Sequence, residues 1–160
     1  MPASALSETL FRQACGQFAT GVAIAAVTDS SGTPHGLTIN SFTSVSMKPP
    51  LVLICIDKRA AILDRFLEAS HYSVNILPVE HEELSNRFAT SREDRFNGVS
   101  WRSGVTGAPL IDGSIAALEC ETAQVIDAGD HSILIAEAVA AEVTGGVPLV
   151  YLRGRYTLTV

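Results

Sequence analysis

The sequence predicts a mainly β domain, in which an antiparallel sheet with a few short flanking helices closes, or nearly closes, into a barrel. About seven segments rich in β-branched residues are joined mostly by tight turns. The regular alternation of strand and helix that marks a doubly wound fold is missing, and so is the GxGxxG dinucleotide fingerprint. With 160 residues and no evident linker or repeat, the chain is predicted to form one domain, residues 1–160.

The first predicted element is a short helix over residues 7–15, because Ser7 can cap its start and Gly16 can end it. The segment 18–29 combines Val, Ile and Thr and is followed by the turn-forming run DSSGTPHG, which predicts a hairpin. The remaining predicted strands are 37–46, 51–57, 71–77, 115–126, 132–143 and 148–159.

Two helices are predicted to interrupt these strands, at 60–69 and 79–89. The second is the more polar of the two. The first has an apolar face suited to packing on the sheet, formed by Ile62, Leu63, Phe66 and Leu67.

Composition excludes several classes of function. The chain has a net charge of −6 and only 11 lysines and arginines, without a basic cluster, so nucleic-acid binding is not expected. No apolar run reaches the length of a membrane span, and the first residues lack the features of a signal peptide. We therefore expect a cytoplasmic protein that does not bind membranes.

The three cysteines are Cys15, Cys55 and Cys120, an odd number without close spacing. Cys55 and Cys120 lie in apolar runs, so all three are interpreted as buried or half-buried thiols in a reducing compartment. No CxxC or HxxxH spacing is present, and no metal site is predicted.

Small neutral polar side chains are concentrated in the segment TINSFTSVS, residues 38–46, immediately before a double proline and a buried strand. Short hydroxyl and amide groups can bind a phosphate or an aromatic cofactor ring with little loss of side-chain entropy. A half-exposed strand that uses Thr and Ser for cross-strand hydrogen bonds explains the same composition. From composition alone, the strand interpretation is favoured.

Two further segments carry candidate chemistry. Lys58 follows Asp57 at a strand end before a helix, where a lysine can pair with phosphate or simply be solvated. In the turn Gly129-Asp130-His131, the histidine can donate a hydrogen bond to a ligand or carry a proton near neutral pH. A histidine in a turn is more often just exposed to solvent.

Seven segments, in order, resemble the flavin reductase domain, specifically the short-chain reductases that supply reduced flavin to two-component aromatic monooxygenases. The resemblance runs from about residue 10 to 159. The segments are FATGVAIAAVT, HGLTINSFTSVSMKPPLVLICID, SVNIL, RFA, GAPLIDGSIAALECE, DAGDHSILIAEAV and PLVYLRGRYTLT.

This resemblance implies an FMN-binding split β-barrel, an antiparallel fold that usually forms a homodimer in which each flavin cleft is lined partly by the neighbouring subunit. It implies NAD(P)H-dependent reduction of FMN or FAD, and a partner monooxygenase that receives the diffusing reduced flavin. The positions that match cofactor-binding segments are Thr38, Ile39, Asn40, Ser41, Ser46, Asp57, Lys58, Phe88, Gly129, Asp130, His131 and Tyr156.

Within this set, the resemblance places Thr38 to Ser41 along the flavin ring and ribityl chain, and Ser46 near the phosphate. It assigns His131 and Tyr156 to placement of the nicotinamide nucleotide, and His131 is the candidate catalytic residue. Hydride transfer asks mainly for positioning of the two cofactors. Many relatives carry a serine just after the D-K/R pair, where this chain has Arg59-Ala60-Ala61.

Two other functions are compatible with the same fold. One is a flavin-binding carrier or sensor without reductase activity, and the other is a flavin enzyme with a different hydride acceptor. The sequence leaves open FMN against FAD and the identity of the oxygenase. It leans only slightly to NADH over NADPH, on its acidic balance and the lack of an obvious arginine pair.

Overall fold

Strands make up most of the regular structure in the computed structural model, which describes residues 6–157. The helices in this range are α1 (Glu8–Cys15), α2 (Leu63–Glu68) and α3 (Glu82–Phe88), and a 3-10 turn covers Val79–His81. The strands are β1 (Thr20–Gly21), β2 (Ala23–Thr28), β3 (Pro34–Ile39), β4 (Thr43–Met47), β5 (Pro50–Asp57), β6 (His71–Ile76), β7 (Trp101–Ser103), β8 (Pro109–Ile111), β9 (Ala116–Ala128), β10 (His131–Val143), β11 (Val150–Leu152) and β12 (Arg155–Thr157).

Seven strands form one antiparallel sheet in the order β3-β2-β6-β9-β10-β5-β4. A second sheet has the order β1-β11-β12, and β7 pairs with β8. The predicted mainly β, antiparallel architecture with few helices is therefore confirmed. Within the described residues, no helix is both long enough and apolar enough to cross a membrane.

The two edges of the seven-stranded sheet are joined by a very short connection. β3 and β4 are consecutive in the chain but lie at opposite edges, and only residues 40–42 separate them. Four extended steps span at most roughly 14 Å, whereas the edges of a flat seven-stranded sheet would lie about 29 Å apart. The sheet must therefore curl strongly, although β3 and β4 do not pair with each other.

β2 is buried on both faces because it lies between two hydrophobic cores. Ala23, Ala25 and Val27 face one core, which lies inside the curled sheet and includes Phe66 of α2. Ile24 points the opposite way, into a second core. The rest of that core is formed by Val22, Leu77, Phe88, Ile111 and Leu149.

Several predicted boundaries agree with the structure. Ser7 caps α1, where its side chain accepts a hydrogen bond from the Leu10 backbone N–H at 3.2 Å, and Gly16 follows the last turn. The hairpin predicted after residues 18–29 is formed by β2 and β3. The strands predicted at 51–57 and 132–143 correspond closely to β5 and β10.

The predicted strand at 37–46 is wrong as one element. The chain leaves the sheet at Asn40 and re-enters it as β4 on the far edge. The predicted strand at 148–159 is instead a hairpin of β11 and β12, with positive φ at Arg153 (52°) and Gly154 (79°). This backbone matches the twist of paired strands. Residues 158 and 159 lie outside the described residues.

The helical predictions were too long at both places. α2 covers only six residues of the predicted 60–69, and within 79–89 a 3-10 turn precedes α3. On α2, Leu63 and Phe66 are buried as predicted, but Leu67 is 46% exposed. The hairpin of β7 and β8 was not predicted, because three-residue strands give too little alternation to detect.

The prediction for the cysteines is correct at two positions and wrong at one. Cys120 is buried and Cys55 is half-buried, but Cys15 is exposed. The reason is that α1 buries none of its residues against this chain.

Candidate functional site

The exit of β5 and the turn between β9 and β10 lie side by side. The ladder between β5 and β10 ends at the pair of Asp57 and His131. One residue further, the Lys58 backbone N–H donates to the Asp130 carbonyl at 2.9 Å. Two segments about 70 residues apart in the sequence, both predicted to bind cofactor, are thus brought together.

The β9–β10 turn contains only Gly129 and Asp130, because Ala128 already pairs with His131. Gly129 has a φ of 62°, in the region that favours glycine, and a Cβ there would meet no atom within 4 Å. The glycine is therefore needed for backbone conformation and not for space. Its carbonyl accepts a hydrogen bond from Lys58 Nζ at 2.6 Å.

Arg59 folds back on Asp57 at the same exit. The carboxylate of Asp57 accepts from the Arg59 backbone N–H at 2.8 Å, from Nε at 3.2 Å and from Nη2 at 2.8 Å. These hydrogen bonds from Arg59 hold the pKa of Asp57 well below its ordinary value, and His131 adds to the effect. The Arg59 side chain is 85% exposed, so it can exchange this partner for another anion at little cost.

His131 stands at the start of β10 with a half-exposed ring. Its Nδ1 lies 2.7 Å from Oδ1 of Asp130. The hydrogen bond from His131 lowers the pKa of Asp130. With Nδ1–H donating to Asp130, Nε2 is the acceptor nitrogen of the neutral ring. The arrangement fixes the tautomer and leaves the distal nitrogen to interact with a ligand.

A second group of predicted residues surrounds α3. Thr38 Oγ1 donates to the carbonyl of Ser85 at 2.6 Å, and Ser85 Oγ lies 2.7 Å from the hydroxyl of Tyr156. Phe88 is fully buried, with its ring edge-to-face against Phe96 at a centroid distance of 4.9 Å. Phe88 therefore supports the wall from behind.

A surface cavity of about 310 Å³ connects the two groups. Its walls are the β5 exit, the end of β3 and the segment after α3. It is lined by Leu37, Thr38, Arg59, Ala60, Ala61, Ile62, Phe88, Ala89, Thr90, Ser91 and Arg95. We call it the basic pocket, because its charged lining residues are two arginines and it contains no carboxylate. Three other cavities in the described part of the chain mix acidic and basic side chains.

Arg95 is a cation without an anionic partner among residues 6–157. Its Nη1 donates to the Gly36 carbonyl at 2.6 Å, and its Nε is buried without a hydrogen-bond partner. Burial lowers its pKa, so the charged form is held at some energetic cost. By contrast, Arg92 is exposed and already pairs with Asp94 at 2.9 Å. Of these two arginines, only Arg92 has an anionic partner in the described part of the chain.

Arg95 is hard to recognise as a candidate from the sequence alone. It lies next to Phe96 in the run DRFNGVSW, whose aromatic residues pack together: the Phe96 and Trp101 ring centroids are 5.9 Å apart. Aromatic residues at this spacing predict packing, and they say nothing about the neighbouring guanidinium. That Arg95 lacks an anionic partner among residues 6–157 depends on the fold and cannot be seen in the sequence.

The polar segment after β3 is partly used by the fold itself. Ser41 Oγ donates to the Cys55 carbonyl at 2.9 Å and accepts from the Cys55 N–H at 3.0 Å, so it replaces a missing ladder partner of β5. Ile39 is 6% exposed and belongs to the core. Asn40 is exposed, and Ser46 is half-buried opposite Leu51 beside a β-bulge.

The structure therefore brings Asp57, Lys58 and the Gly129–His131 turn together and places them next to the basic pocket. It does not bring Tyr156 to His131 within this chain. Tyr156 lies in the second sheet against α3, and no hydrogen bond joins the two residues in the part of the chain described. Across residues 6–157 no cluster of three His, Cys, Asp or Glu side chains could hold a metal ion.

Comparisons with known proteins agree on one family. The family model described as "Flavin reductase like domain" matches residues 15–159. The reductase component of a flavin-dependent trigonelline monooxygenase from Acinetobacter baylyi is 43% identical over 145 residues, which cover 91% of this chain and 47% of that protein. An FMN reductase (NADH) from Agrobacterium fabrum is 39% identical over 146 residues, covering 91% of this chain and 83% of the relative.

Among solved structures, the NADH:FAD oxidoreductase of Streptomyces globisporus C-1027, in complex with NAD and FAD fragments, matches with a TM-score of 0.90. It is 35% identical, and the match covers 99% of this chain and 98% of that one. The chain spans about half the length of the first curated relatives that it matches.

Proposed function

The chain belongs to the flavin reductase family, and from that membership we propose that it oxidises NADH or NADPH and reduces FMN or FAD. One observation on this chain's own residues supports the proposal. The basic pocket, which lacks carboxylates, adjoins the Gly129–His131 turn through the β5 exit, so an anionic flavin and a nicotinamide nucleotide have adjacent sites.

The residues of the basic pocket fit the phosphate of a flavin. Arg59 and Arg95 supply guanidinium groups, which bind phosphate oxygens through paired N–H donors. Arg95 lines the pocket and forms no ion pair among residues 6–157, so a phosphate would supply its missing counter-ion.

We propose that the flavin ring and ribityl chain run from this pocket along residues 38–41, with Ser46 further along the same wall. Asn40 is exposed and can use its side-chain amide. The hydroxyls of Thr38 and Ser41 already bond within the fold, and each keeps acceptor capacity. Phe88 acts as a rigid support behind the wall.

The nicotinamide nucleotide is proposed to bind beside the Gly129–His131 turn. A bound flavin would supply the chemistry, accepting a hydride from the dihydronicotinamide. The protein's own part is positioning. His131 holds a proton on Nδ1 toward Asp130 and offers Nε2 to the nucleotide, and Asp57 lies across the ladder from it.

A homodimer built on a split barrel is part of the proposal. The short link between β3 and β4 supports a strongly curled, open sheet. β4 is exposed along most of its length, with Met47 85% exposed, and Phe11 on α1 is 56% exposed. We propose that a second copy covers these apolar side chains, and that the partner lines part of each flavin cleft.

We further propose that the reduced flavin diffuses to a separate monooxygenase; the Acinetobacter relative is named as the reductase component of a flavin-dependent monooxygenase. A cytoplasmic location, where nicotinamide nucleotides are available, follows from the same proposal. The unit that carries the reductase function is the single domain of residues 1–160.

An anaerobic titration tests the function. The purified protein is mixed with FMN or FAD, and NADH is added while the visible absorbance of the flavin is followed. Loss of that absorbance at a rate that depends on the protein supports a reductase. Flavin that binds but stays oxidised with both NADH and NADPH would support a carrier instead.

A further inference from the structure

Lys58 holds the β9–β10 turn with both its backbone and its side chain. Its backbone N–H donates to the Asp130 carbonyl at 2.9 Å, and its Nζ donates to the Gly129 carbonyl at 2.6 Å. The same ammonium forms an ion pair with Asp127, the second-to-last residue of β9. Three residues around one two-residue turn are therefore bound by one lysine.

The bond to Gly129 matters because of the conformation of the turn. Of its two central residues, only Gly129 has positive φ, the pattern of a type II′ hairpin turn. Ala128 and His131 pair with each other across the turn, so the carbonyl of Gly129 needs a partner from elsewhere. Lys58 is that partner, and it fixes the orientation of the peptide that precedes Asp130 and His131.

The position of Lys58 argues against direct contact with the flavin phosphate. The cations that line the basic pocket are Arg59 and Arg95, and Lys58 is absent from its lining. The ammonium would have to give up its contacts with Gly129 and Asp127 to reach an anion there. The Arg59 side chain already lines the pocket and is 85% exposed, so it would exchange its pairing with Asp57 for another anion at little cost.

We propose that Lys58 is a positioning residue for the nicotinamide nucleotide, which acts by holding the Gly129–His131 turn, and that it does not bind flavin. This inference rests on the proposed reductase function. It revises the expectation, taken from family resemblance, that Lys58 contacts the cofactor. Without the ammonium, the central peptide of the turn loses its external partner and the His131 ring loses its fixed place.

The test is Lys58→Met, which keeps an unbranched apolar stem and removes the charged donors. Because the lost hydrogen bond is charge-assisted but partly exposed, we expect the KM for NADH to rise about three- to tenfold. The KM for flavin should stay at the wild-type value. Lys58→Arg retains donors and should restore most of the NADH KM.

Two further arginine-to-methionine variants serve as controls for Lys58→Met. Arg59→Met should show the opposite split, with a higher KM for flavin and an unchanged KM for NADH. Arg65→Met removes an exposed cation of α2 and should change neither KM. In the wild type, Nη1 of Arg65 lies 3.9 Å from Oε2 of Glu68. If Lys58→Met raises the flavin KM instead, or changes neither KM, or raises both equally, the proposal is overturned.

A second measurement does not depend on activity. Amide hydrogen exchange on the ligand-free proteins should be faster at Asp130 and His131 in Lys58→Met than in wild type, with the core of β10 unchanged. If the wild-type protein fails to reduce flavin, the proposed function fails, and the exchange result still decides whether Lys58 holds the turn. Unchanged exchange at these amides would refute that role.

Discussion

Replacing Arg95 by methionine should separate ligand affinity from stability. Arg95 gives one hydrogen bond to the Gly36 carbonyl at 2.6 Å, and its Nε is buried without a partner. A charge-assisted bond from such a group to phosphate is worth about 1.5–3 kcal/mol, which corresponds to a Kd ratio of about 10- to 150-fold. We therefore expect Arg95→Met to weaken FMN binding by this factor.

The stability of the ligand-free protein should change little in the same variant. Loss of the bond to Gly36 costs about 0.5–1.5 kcal/mol, and removal of a partly buried charge without a counter-ion offsets it. Methionine also keeps the apolar contacts of the arginine stem. The free energy of unfolding from urea titration should therefore stay within about 1 kcal/mol of wild type.

The assays are a fluorescence titration with FMN and urea unfolding without ligand, on wild type, Arg95→Met and Arg92→Met. Arg92 is exposed and paired with Asp94, so its replacement should change neither quantity. Riboflavin, which lacks the phosphate, should bind wild type and Arg95→Met equally. A large loss of stability with unchanged FMN affinity would mean that Arg95 serves the fold and that the basic pocket does not bind phosphate.

Three further predictions concern other parts of the molecule. His131→Ala should raise the KM for NADH about three- to tenfold and leave flavin affinity unchanged, since it removes one polar contact on the nucleotide side; steady-state kinetics with each substrate varied will show a rise in flavin KM if this assignment is mistaken. Gly129→Ala should lower stability by about 1–2 kcal/mol, because alanine disfavours a φ of 62° although space is open; an unchanged thermal midpoint would contradict the turn geometry. Burial pushes the pKa of Glu119 upward, but hydrogen bonds from Thr106 and Val105 outweigh it and hold the pKa below its ordinary value. The ionised carboxylate of Glu119 therefore stabilises the fold fully above the unfolded-state pKa of about 4.3. This stabilisation is lost as the pH falls through the lower folded-state pKa. Glu119→Gln should cost about 2–4 kcal/mol at pH 7 and progressively less in acid, and a cost independent of pH would refute the role of the carboxylate.

Local patterns in the sequence predicted those elements whose chemistry is local. The Ser7 cap, the strand β5 and the hairpin of β2 and β3 follow from residue type and strand propensity, and the structure contains all three. The turn at Gly129 also follows from its residue type, because two-residue hairpins favour glycine at a position of positive φ.

The passage from β3 to β4 could not be predicted in this way. Residues 38–46 have uniform strand propensity, and the break at Asn40 is set by the distant edge to which β4 must pair. Ser41 shows the same effect, since its hydroxyl completes the ladder of β5 fourteen residues away. Such roles depend on which strands become neighbours, and a single sequence does not state this.

The basic pocket could not be predicted either, because residues that are distant in the sequence form it. Arg59 and Arg95 are separated by 36 positions in the sequence, and only the folded chain brings both side chains to one cavity. Among residues 6–157 Arg95 forms no ion pair, whereas Arg92, three residues earlier, pairs with Asp94. Residue type alone makes these arginines equivalent, and only packing separates them.

The most direct test of the central claim is the loss of NADH absorbance in the presence of the purified protein alone, with and without added FMN or FAD. We expect slow oxidation without flavin and rapid oxidation that saturates as flavin is added, with riboflavin requiring a higher concentration than FMN. If NADH and then NADPH remain unoxidised while flavin binds, the chain is not a flavin reductase and the central claim is contradicted.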